Sequence, residues 1–301
     1  MTRSVQIVDV TLRDGLQNES VIPTTAAKVD LARRLVDAGA RRIEAVSFVH
    51  PRAVPAMADA EAVMAAVGGP PGVRYSGLVL NERGLDRALA ARVDEVNVVV
   101  CASDTFSRRN QNMSTAESSA IASTIVRRAG DAGVPATVTV ATAFGCPFEG
   151  EVAEDAVLDI VRAAVAAGAA EVALADTIGV AVPAQVASLG RKVRELADGR
   201  ALRFHFHDTR NTGIANAWIA IEVGADALDA SSGGIGGCPF APAATGNVAT
   251  EDLVYLLDRS GVEHGLDLEG VVDAGRRAVG LIGREPTSSL ALAGGFPSPR
   301  A

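Results

Sequence analysis

Two histidines separated by one residue, His205-Phe206-His207, are the most specific chemical feature of the sequence. Alternate residues of a β-strand point the same way and lie about 6.6 Å apart, so two imidazoles at this spacing can bind one ion. A single histidine is more often a buried structural residue, but the pair favours metal ligation. A carboxylate such as Asp14 and an amide such as Asn247 would complete a nitrogen and oxygen ligand set. This set suits Mg²⁺ or Mn²⁺, with Zn²⁺ or Co²⁺ as alternatives.

Polar residues also follow several of the β-branched runs in the sequence. Each of them alone could cap the helix that follows. Together they favour an active site, because enzymes built on parallel barrels place catalytic residues at the carboxyl ends of the strands. The residues are Arg13, Asp14, Glu44, Asp176, His205, His207 and Cys238.

A glycine-rich segment, residues 232–239, follows the last β-branched run and contains Cys238. The segment is typical of a phosphate cradle or of a mobile lid. Glycines around a thiol let it swing over a pocket, and a thiol near a cation can exchange protons close to neutral pH. Cys238 is therefore a candidate acid–base group, whereas Cys101 and Cys146 lack this setting and are expected to be packing residues.

The elements that must position these groups alternate along the chain. Eight β-branched runs, the first at residues 5–10 and the last at 227–231, are separated by alanine-rich segments with helical spacing. This alternation predicts an α/β fold, a (β/α)₈ TIM barrel. A doubly wound open sheet is the alternative, but the segment after the first run, residues 11–15, is charged instead of glycine-rich.

Two further helices are predicted beyond the last strand, at residues 250–259 and 268–281. We expect residues 1–290 to form a single barrel domain with these extra C-terminal helices, and residues 291–301 to form a disordered tail. A homodimer built on the extra helices is compatible with this organisation.

The composition restricts the classes of partner. The net charge of −8 and the pI near 5.1 argue against binding to nucleic acid or to an anionic membrane, because both need a clustered basic surface. No apolar run reaches the roughly 18 residues of a spanning helix. The first catalytic-looking motif begins at Thr11, so we expect no cleaved leader and a cytoplasmic location. Three widely spaced cysteines predict neither a disulfide framework nor a structural zinc site.

Seven motifs spread over nearly the whole chain carry a family resemblance. They are residues 13–19, 43–44 with 47–49, 145–150, 176–179, 205–209, 236–239 and 245–253. At these residues the chain resembles the 3-hydroxy-3-methylglutaryl-CoA lyases, which belong to the metal-dependent lyase and synthase barrels with an Arg-Asp-Gly motif. The Gly-Gly-Cys-Pro motif, residues 236–239, lies in the glycine-rich segment, which we call the cysteine loop. This loop distinguishes these lyases from the related acyl-transferring synthases and ketoacid aldolases.

The resemblance implies a lyase that cleaves an acyl-CoA, 3-hydroxy-3-methylglutaryl-CoA, to acetyl-CoA and acetoacetate. Arg13 would stabilise an enolate, and Cys238 would be the proton donor or acceptor. Glu44 and Asp176 would support the metal and its waters, and Asn110 would contact the substrate. The divalent cation, Mg²⁺ or Mn²⁺, would be held by Asp14, His205, His207 and Asn247.

The reaction itself requires a set of parts that these residues can supply. Cleavage next to a tertiary alcohol needs a Lewis acid for the hydroxyl, a base for its proton, a cation for the enolate oxygen and an acid for the departing carbon. The metal, Asp14 or His205, Arg13 and Cys238 fill these roles in this order.

Departures from the usual family pattern leave other functions open. Ser20 stands where a lysine is common, Val46 where a threonine is usual, Thr137 where an arginine is frequent, and residues 210–212 where a Tyr-Gly-Gln-like run occurs. The alternatives are a lyase for a longer 3-hydroxy-3-alkylglutaryl-CoA and a metal-dependent hydroxy-ketoacid aldolase. A noncatalytic barrel that binds a metabolite or scaffolds a partner would predict loss of a metal ligand, and all four ligands are present.

Overall fold

Short β-branched segments form the inner wall of a closed barrel. The computed structural model describes residues 3–237 and 246–297, and within them eight parallel strands pair in sequence order, with the first strand closing on the eighth. The predicted (β/α)₈ barrel is therefore confirmed. The strands are β1 (Gln6–Asp9), β2 (Arg42–Ser47), β3 (Arg74–Val79), β4 (Glu95–Cys101), β5 (Ala136–Ala141), β6 (Glu171–Asp176), β7 (Ala201–Phe206) and β8 (Ala227–Ala230).

Helices cover the outside of this barrel and extend beyond it. Two of those in the described ranges, α4 and α11, were not predicted from the sequence. The helices are α1 (Thr25–Asp37), α2 (Ala60–Val67), α3 (Glu82–Ala90), α4 (Asp104–Gln111), α5 (Thr115–Asp131), α6 (Glu154–Ala167), α7 (Pro183–Leu196), α8 (Gly213–Glu222), α9 (Thr250–Arg259), α10 (Leu268–Ile282) and α11 (Ser289–Ala293).

Capping residues determine where several helices begin and end. Thr24 accepts a hydrogen bond from the backbone N–H of Ala27 at the start of α1, and Ser114 and Glu117 form a reciprocal capping box at the start of α5. At the end of α6, Gly168 has a φ of 94°, a conformation that glycine adopts without strain. These contacts satisfy backbone groups that a helix end would otherwise leave without a partner.

The apolar core lies between the outer face of the barrel and the surrounding helices. Leu31 on α1, Ile125 on α5 and Leu189 on α7 are buried in one continuous apolar cluster with residues of the strands. Burial of a side chain of this size stabilises the fold by about 1.5–3 kcal/mol. The helices are therefore held to the barrel mainly by apolar contacts.

The barrel interior, in contrast, is filled with charged side chains, where most such barrels contain Val, Ile and Leu. Arg42 contacts Glu95 and Glu171, both at 2.7 Å. Arg203 contacts Glu171 at 3.1 Å and Asp229 at 3.3 Å. All five residues are buried. Ion pairs therefore join β2, β4, β6, β7 and β8 across the barrel axis.

The C-terminal helices pack back onto the barrel. Helix α10 contacts α1 and the 3₁₀ turn at Ser232–Gly234. Helix α11 is held to α9 by Asp252, whose carboxylate accepts a hydrogen bond from the Ser288 hydroxyl at 2.9 Å. The predicted C-terminal helices are present, and they lie beside the turn that leads into the cysteine loop.

Residues 291–301 were predicted to form a disordered tail, and the structure differs from this prediction in the first part of that segment. Residues 291–293 belong to α11 and are helical, because Ser288 caps this helix by accepting the N–H of Ala291. Residues 298–301 lie outside the described residues. Among the helices of the described ranges, none has the length and apolarity needed to cross a membrane.

Candidate active site

Three predicted site residues, Asp14, His205 and His207, converge at the carboxyl end of the barrel. One ligand atom of each lies within 4.8 Å of those of the other two. Nε2 of His205 and Nε2 of His207 are each 3.9 Å from Oδ2 of Asp14. Both histidines are buried. The period-two spacing on β7 therefore does bring the two imidazoles and a carboxylate from the first βα loop to one point.

Asn247 lies against this cluster from the segment after the cysteine loop. It forms an antiparallel bridge with His207, and its amide nitrogen donates to Oδ2 of Asp14 at 2.8 Å and to the carbonyl of Ile235 at 3.0 Å. Its Oδ1 atom is buried and has no hydrogen-bond partner within the described residues. A buried acceptor without a partner requires an explanation, and an ion is one.

The donor atoms fit a divalent cation. The cluster offers imidazole nitrogens from His205 and His207, a carboxylate oxygen from Asp14 and the Oδ1 atom of Asn247. The carboxylate and amide oxygens suit Mg²⁺ or Mn²⁺, whereas the two imidazoles also suit Zn²⁺ or Co²⁺. The structure therefore contains a potential metal site, and the identity of the metal stays a prediction.

A tight turn after β1 presents two adjacent functional residues. Residues Thr11–Gly15 form a π-helical turn, and the carboxylate of Asp9 accepts the N–H of Thr11 at 2.9 Å at its start. Gly15 is required at the end of the turn, because a Cβ atom there would lie 2.9 Å from the side chain of Ile235. The turn directs Arg13 and Asp14 toward the barrel mouth.

Arg13 is held between two carboxylates. Its Nε donates to Glu44 and its Nη1 donates to Asp14 at 2.6 Å, whereas Nη2 makes no hydrogen bond within the described residues. Burial lowers the pKa of Arg13, but Glu44 and Asp14 outweigh burial and raise it. The guanidinium is therefore a permanent positive charge beside the potential metal ligands.

Glu44 occupies a different position from the predicted one. It lies in the middle of β2 and not at its carboxyl end, and its side chain is fully buried inside the barrel. Asn97 donates to it at 2.6 Å, and Thr139 donates to Asn97 at 2.7 Å. Glu44 therefore supports Arg13 from below and is shielded from solvent.

Two residues of the ligand cluster, Asp14 and His207, have strongly shifted pKa values. Burial alone would raise the pKa of Asp14, but Arg13, His205 and His207 hold it well below its usual range. Burial lowers the pKa of His207 to about 4, and neighbouring His205 acts in the same direction. Asp14 is thus ionised and His207 neutral near pH 7, the protonation states in which both groups ligate metals.

The remaining predicted residues do not join the cluster directly. Asp176 ends β6, and its two carboxylate oxygens accept the N–H groups of Val180 and Ala181 at 2.9 and 3.0 Å, so it orders the loop before α7. Asn110 is exposed on α4. Neither residue makes a hydrogen bond to Asp14 or the histidines in the described part of the chain. Cys238 lies outside the described residues.

Within the described residues, the four departures from the family pattern form no hydrogen bond to the candidate metal ligands. Ser20 is exposed, and Val46 is buried in the main apolar cluster. Thr137 donates to Glu171 at 2.9 Å within the charged barrel interior. Arg210 donates to two backbone carbonyls of the loop after β6.

Two buried carboxylates near the site were missed by the sequence analysis. Asp229 on β8 accepts from Nδ1 of His205 at 3.1 Å, if that nitrogen carries the proton. Asp9 on β1 contacts Thr11 and Ser232, and burial raises its pKa to about 6. The available signal was an aspartate in the middle of an otherwise apolar strand segment.

The closed barrel and the potential metal site at its carboxyl end define a class of barrel enzymes. Within that class, the chain belongs to the HMGL-like family, whose model matches residues 4–277. The predicted family resemblance and the predicted lyase class are confirmed by the relatives of this chain.

Curated relatives match over almost the whole chain. The (R)-citramalyl-CoA lyase of Chloroflexus aurantiacus is 42% identical, with 97% of this chain and 95% of the relative covered. The hydroxymethylglutaryl-CoA lyase YngG of Bacillus subtilis is 39% identical, with 91% and 92% covered. An HMG-CoA lyase from Acinetobacter baumannii, solved in complex with coenzyme A and 3-methylmalate, superposes with a TM-score of 0.93 at 39% identity and covers 98% of both chains.

Proposed function

We propose that this lyase cleaves 3-hydroxy-3-methylglutaryl-CoA to acetyl-CoA and acetoacetate. The proposal is carried by the cluster of Asp14, His205 and His207 beside the Arg13 guanidinium, in a chain similar to lyases for this substrate. We also propose that Mg²⁺ or Mn²⁺ is held by these three ligands and Asn247, and that the enzyme acts in the cytoplasm. A homodimer through the C-terminal helices stays a prediction.

The reaction breaks the bond between C2 and C3 of the acyl chain. The C3 hydroxyl loses its proton and becomes the ketone of acetoacetate, while the bonding electrons pass to C2 and the thioester as an enolate. A divalent cation, when bound, supplies a Lewis acid that acidifies the tertiary hydroxyl. Asp14 or His205 takes the hydroxyl proton, and His205 can do so only while its Nε2 lone pair is not bound to the cation. General base catalysis of this kind contributes about 10²–10⁴-fold.

Arg13 and Cys238 act on the other half of the substrate. The Nη2 group of Arg13 donates to the enolate oxygen, and its orientation is fixed in advance by Glu44 and Asp14. Loss of one such donor typically costs about 10²–10³-fold in kcat. Cys238 donates a proton to C2 of the enolate, which completes acetyl-CoA. The resulting thiolate takes a proton from solvent, which restores the thiol, and the base releases to solvent the proton that it took from the C3 hydroxyl.

Two residues support this chemistry without touching the reacting atoms, and a third is proposed to contact the substrate. Glu44 fixes Arg13, and Asp176 orders the loop after β6 close to the histidines. We propose that Asn110 contacts the acyl-CoA from the exposed face of α4. The Acinetobacter baumannii relative bound coenzyme A, which supports an acyl-CoA ligand for this barrel.

A second candidate substrate is (R)-citramalyl-CoA, because a relative with this activity in its name is 42% identical over 97% of the chain. This thioester carries its carboxylate directly on the tertiary carbon and would release pyruvate instead of acetoacetate. The same metal ligands, Arg13 and acid would be used, so only the acyl end of the pocket decides between the two.

The test is an assay of the purified protein with Mg²⁺ or Mn²⁺ on three thioesters. They are 3-hydroxy-3-methylglutaryl-CoA, a longer 3-alkyl homologue and (R)-citramalyl-CoA. Acetyl-CoA release and the identity of the ketoacid are measured, with His207→Ala as the inactive control. A preference above about tenfold for another thioester, ~1.4 kcal/mol in transition-state binding, would overturn the named substrate. No acetyl-CoA from any thioester would favour a noncatalytic barrel.

A further inference from the structure

His205 and Asp229 form a buried pair on neighbouring strands. They are register partners of β7 and β8, and both side chains are buried. Nδ1 of His205 lies 3.1 Å from Oδ2 of Asp229, while Nε2 of the same ring lies 3.9 Å from Oδ2 of Asp14. The two ring nitrogens therefore face opposite partners, one below and one in the ligand cluster.

Asp229 also forms an ion pair with a buried arginine on β7, although its Oδ1 atom makes no hydrogen bond within the described residues. Its other oxygen, Oδ1, lies 3.3 Å from Nη1 of Arg203. Arg203 is almost fully buried and contacts Glu171 at 3.1 Å. Because the arginine has only donors, it requires an acceptor at this position. The carboxylate of Asp229 therefore has one oxygen toward Arg203 and the other toward His205.

We propose that Asp229 is a positioning residue that selects the metal-binding tautomer of His205. It accepts the Nδ1–H group, so that the lone pair of Nε2 faces Asp14 and the cation. Outer-shell carboxylates commonly orient ligating histidines in this way. The inference rests on the proposed metal site and does not depend on which thioester is cleaved.

His207 differs from His205 in this respect. Its Nδ1 atom is buried and has no hydrogen-bond partner within residues 3–237 and 246–297. The backbone bridge to Asn247 places this residue instead. A change at Asp229 is therefore expected to act on one ligand of the site and to leave the other ligands in place.

The substitution Asp229→Asn tests the proposal, because Arg203 determines how the new amide turns. The amide oxygen would face the donors of Arg203, which leaves the NH₂ group toward His205. The ring would then accept at Nδ1 and carry its proton on Nε2, which blocks ligation. We expect Mn²⁺ affinity, measured by calorimetry or electron paramagnetic resonance, to fall about 10- to 100-fold.

A matched control is available far from the site. Asp258 contacts Nε2 of His264 at 2.9 Å, so Asp258→Asn breaks the same kind of carboxylate–histidine pair elsewhere. We expect this variant to bind Mn²⁺ with wild-type affinity. A folded Asp229→Asn variant, with a native circular dichroism spectrum and wild-type Mn²⁺ affinity, would overturn the proposal.

If Asp229→Asn does not fold, a measurement on the unmodified protein shows which ring nitrogen of His205 carries the proton. In metal-free protein labelled with ¹⁵N-histidine, the ring nitrogens of His205 are observed at pH 9 and assigned with His205→Gln. We expect the neutral Nδ1–H tautomer. The Nε2–H tautomer or a persistent imidazolium would overturn the proposal. If the wild-type protein binds no Mn²⁺, the metal site fails, and this tautomer result still stands on its own.

Discussion

Glu251 lies in the first turn of α9 with its carboxyl group buried against the start of the glycine-rich segment. Its side chain is nearly inaccessible, and it accepts the N–H of Gly233 at 3.0 Å. Burial raises the pKa of Glu251 from 4.5 to about 7, and its backbone hydrogen bonds oppose this only in part. The folded protein therefore retains a proton that the unfolded chain releases between pH 4.5 and 7.

The stabilisation from this proton is fully present below pH 4.5 and is lost as the pH rises through about 7. A rise from 4.5 to about 7 corresponds to about 3 kcal/mol at ~1.36 kcal/mol per pKa unit. Glu251→Gln keeps an acceptor for Gly233 and cannot ionise. We expect its free energy of unfolding, relative to wild type, to increase by about 2 kcal/mol between pH 5 and pH 8.

Urea unfolding followed by circular dichroism at the two pH values measures this difference. Glu269→Gln, at an exposed position on α10, is the control and should leave the pH dependence of stability unchanged. The reasoning would be refuted if Glu251→Gln and wild type differed by the same free energy at pH 5 and pH 8.

Three further predictions concern the candidate site. His207→Ala should lower Mn²⁺ affinity at least 10- to 100-fold, because even outer-shell losses cost this much, and calorimetry showing wild-type affinity would contradict the metal site. Cys238→Ser should leave Mn²⁺ binding intact but lower kcat by about 10²–10⁴-fold, since a hydroxyl is a much weaker acid than a thiol; a normal acetyl-CoA release rate would exclude the acid role. Gly236→Ala should weaken Mn²⁺ binding, because Gly236 has a φ of 119° and an added Cβ would overlap the Asn247 amide. Gly150→Ala, with a φ of 78° and open space around the added Cβ, is its control and should bind Mn²⁺ normally.

The strands and most helices could be predicted because their apolar residues repeat with the period of the element that they form. The unpredicted helix α4, Asp104–Gln111, shows where this fails. Phe106 is its only apolar residue, and the helix is started by the Ser103 hydroxyl, which accepts the N–H of Phe106. A helix stabilised by its cap and by packing on β4 has no periodic signal in the sequence.

The convergence of Asp14, His205 and His207 could be predicted from the sequence, but the buried partners behind them could not. The period of two in a strand places His205 and His207 on one face, and that relation is local. The depth of Glu44 and the pairing of His205 with Asp229 depend on the register between strands, which is fixed only when the barrel closes. Buried aspartates such as Asp229 therefore acquire their partners from tertiary structure alone.

The charged barrel interior affects how the protein would behave if its chain were cut into two fragments. A fragment that ended after β4 would keep Arg42 with Glu95 but would lose Glu171, and a fragment that began at β5 would keep Glu171 with Arg203 but would lose Arg42. Removing one partner from a buried ion pair costs about 3–5 kcal/mol. Neither half is then suited to fold alone, yet each carries the charges that complement the other. In a split protein, the ion pairs across the axis would make reassembly specific for the correct half.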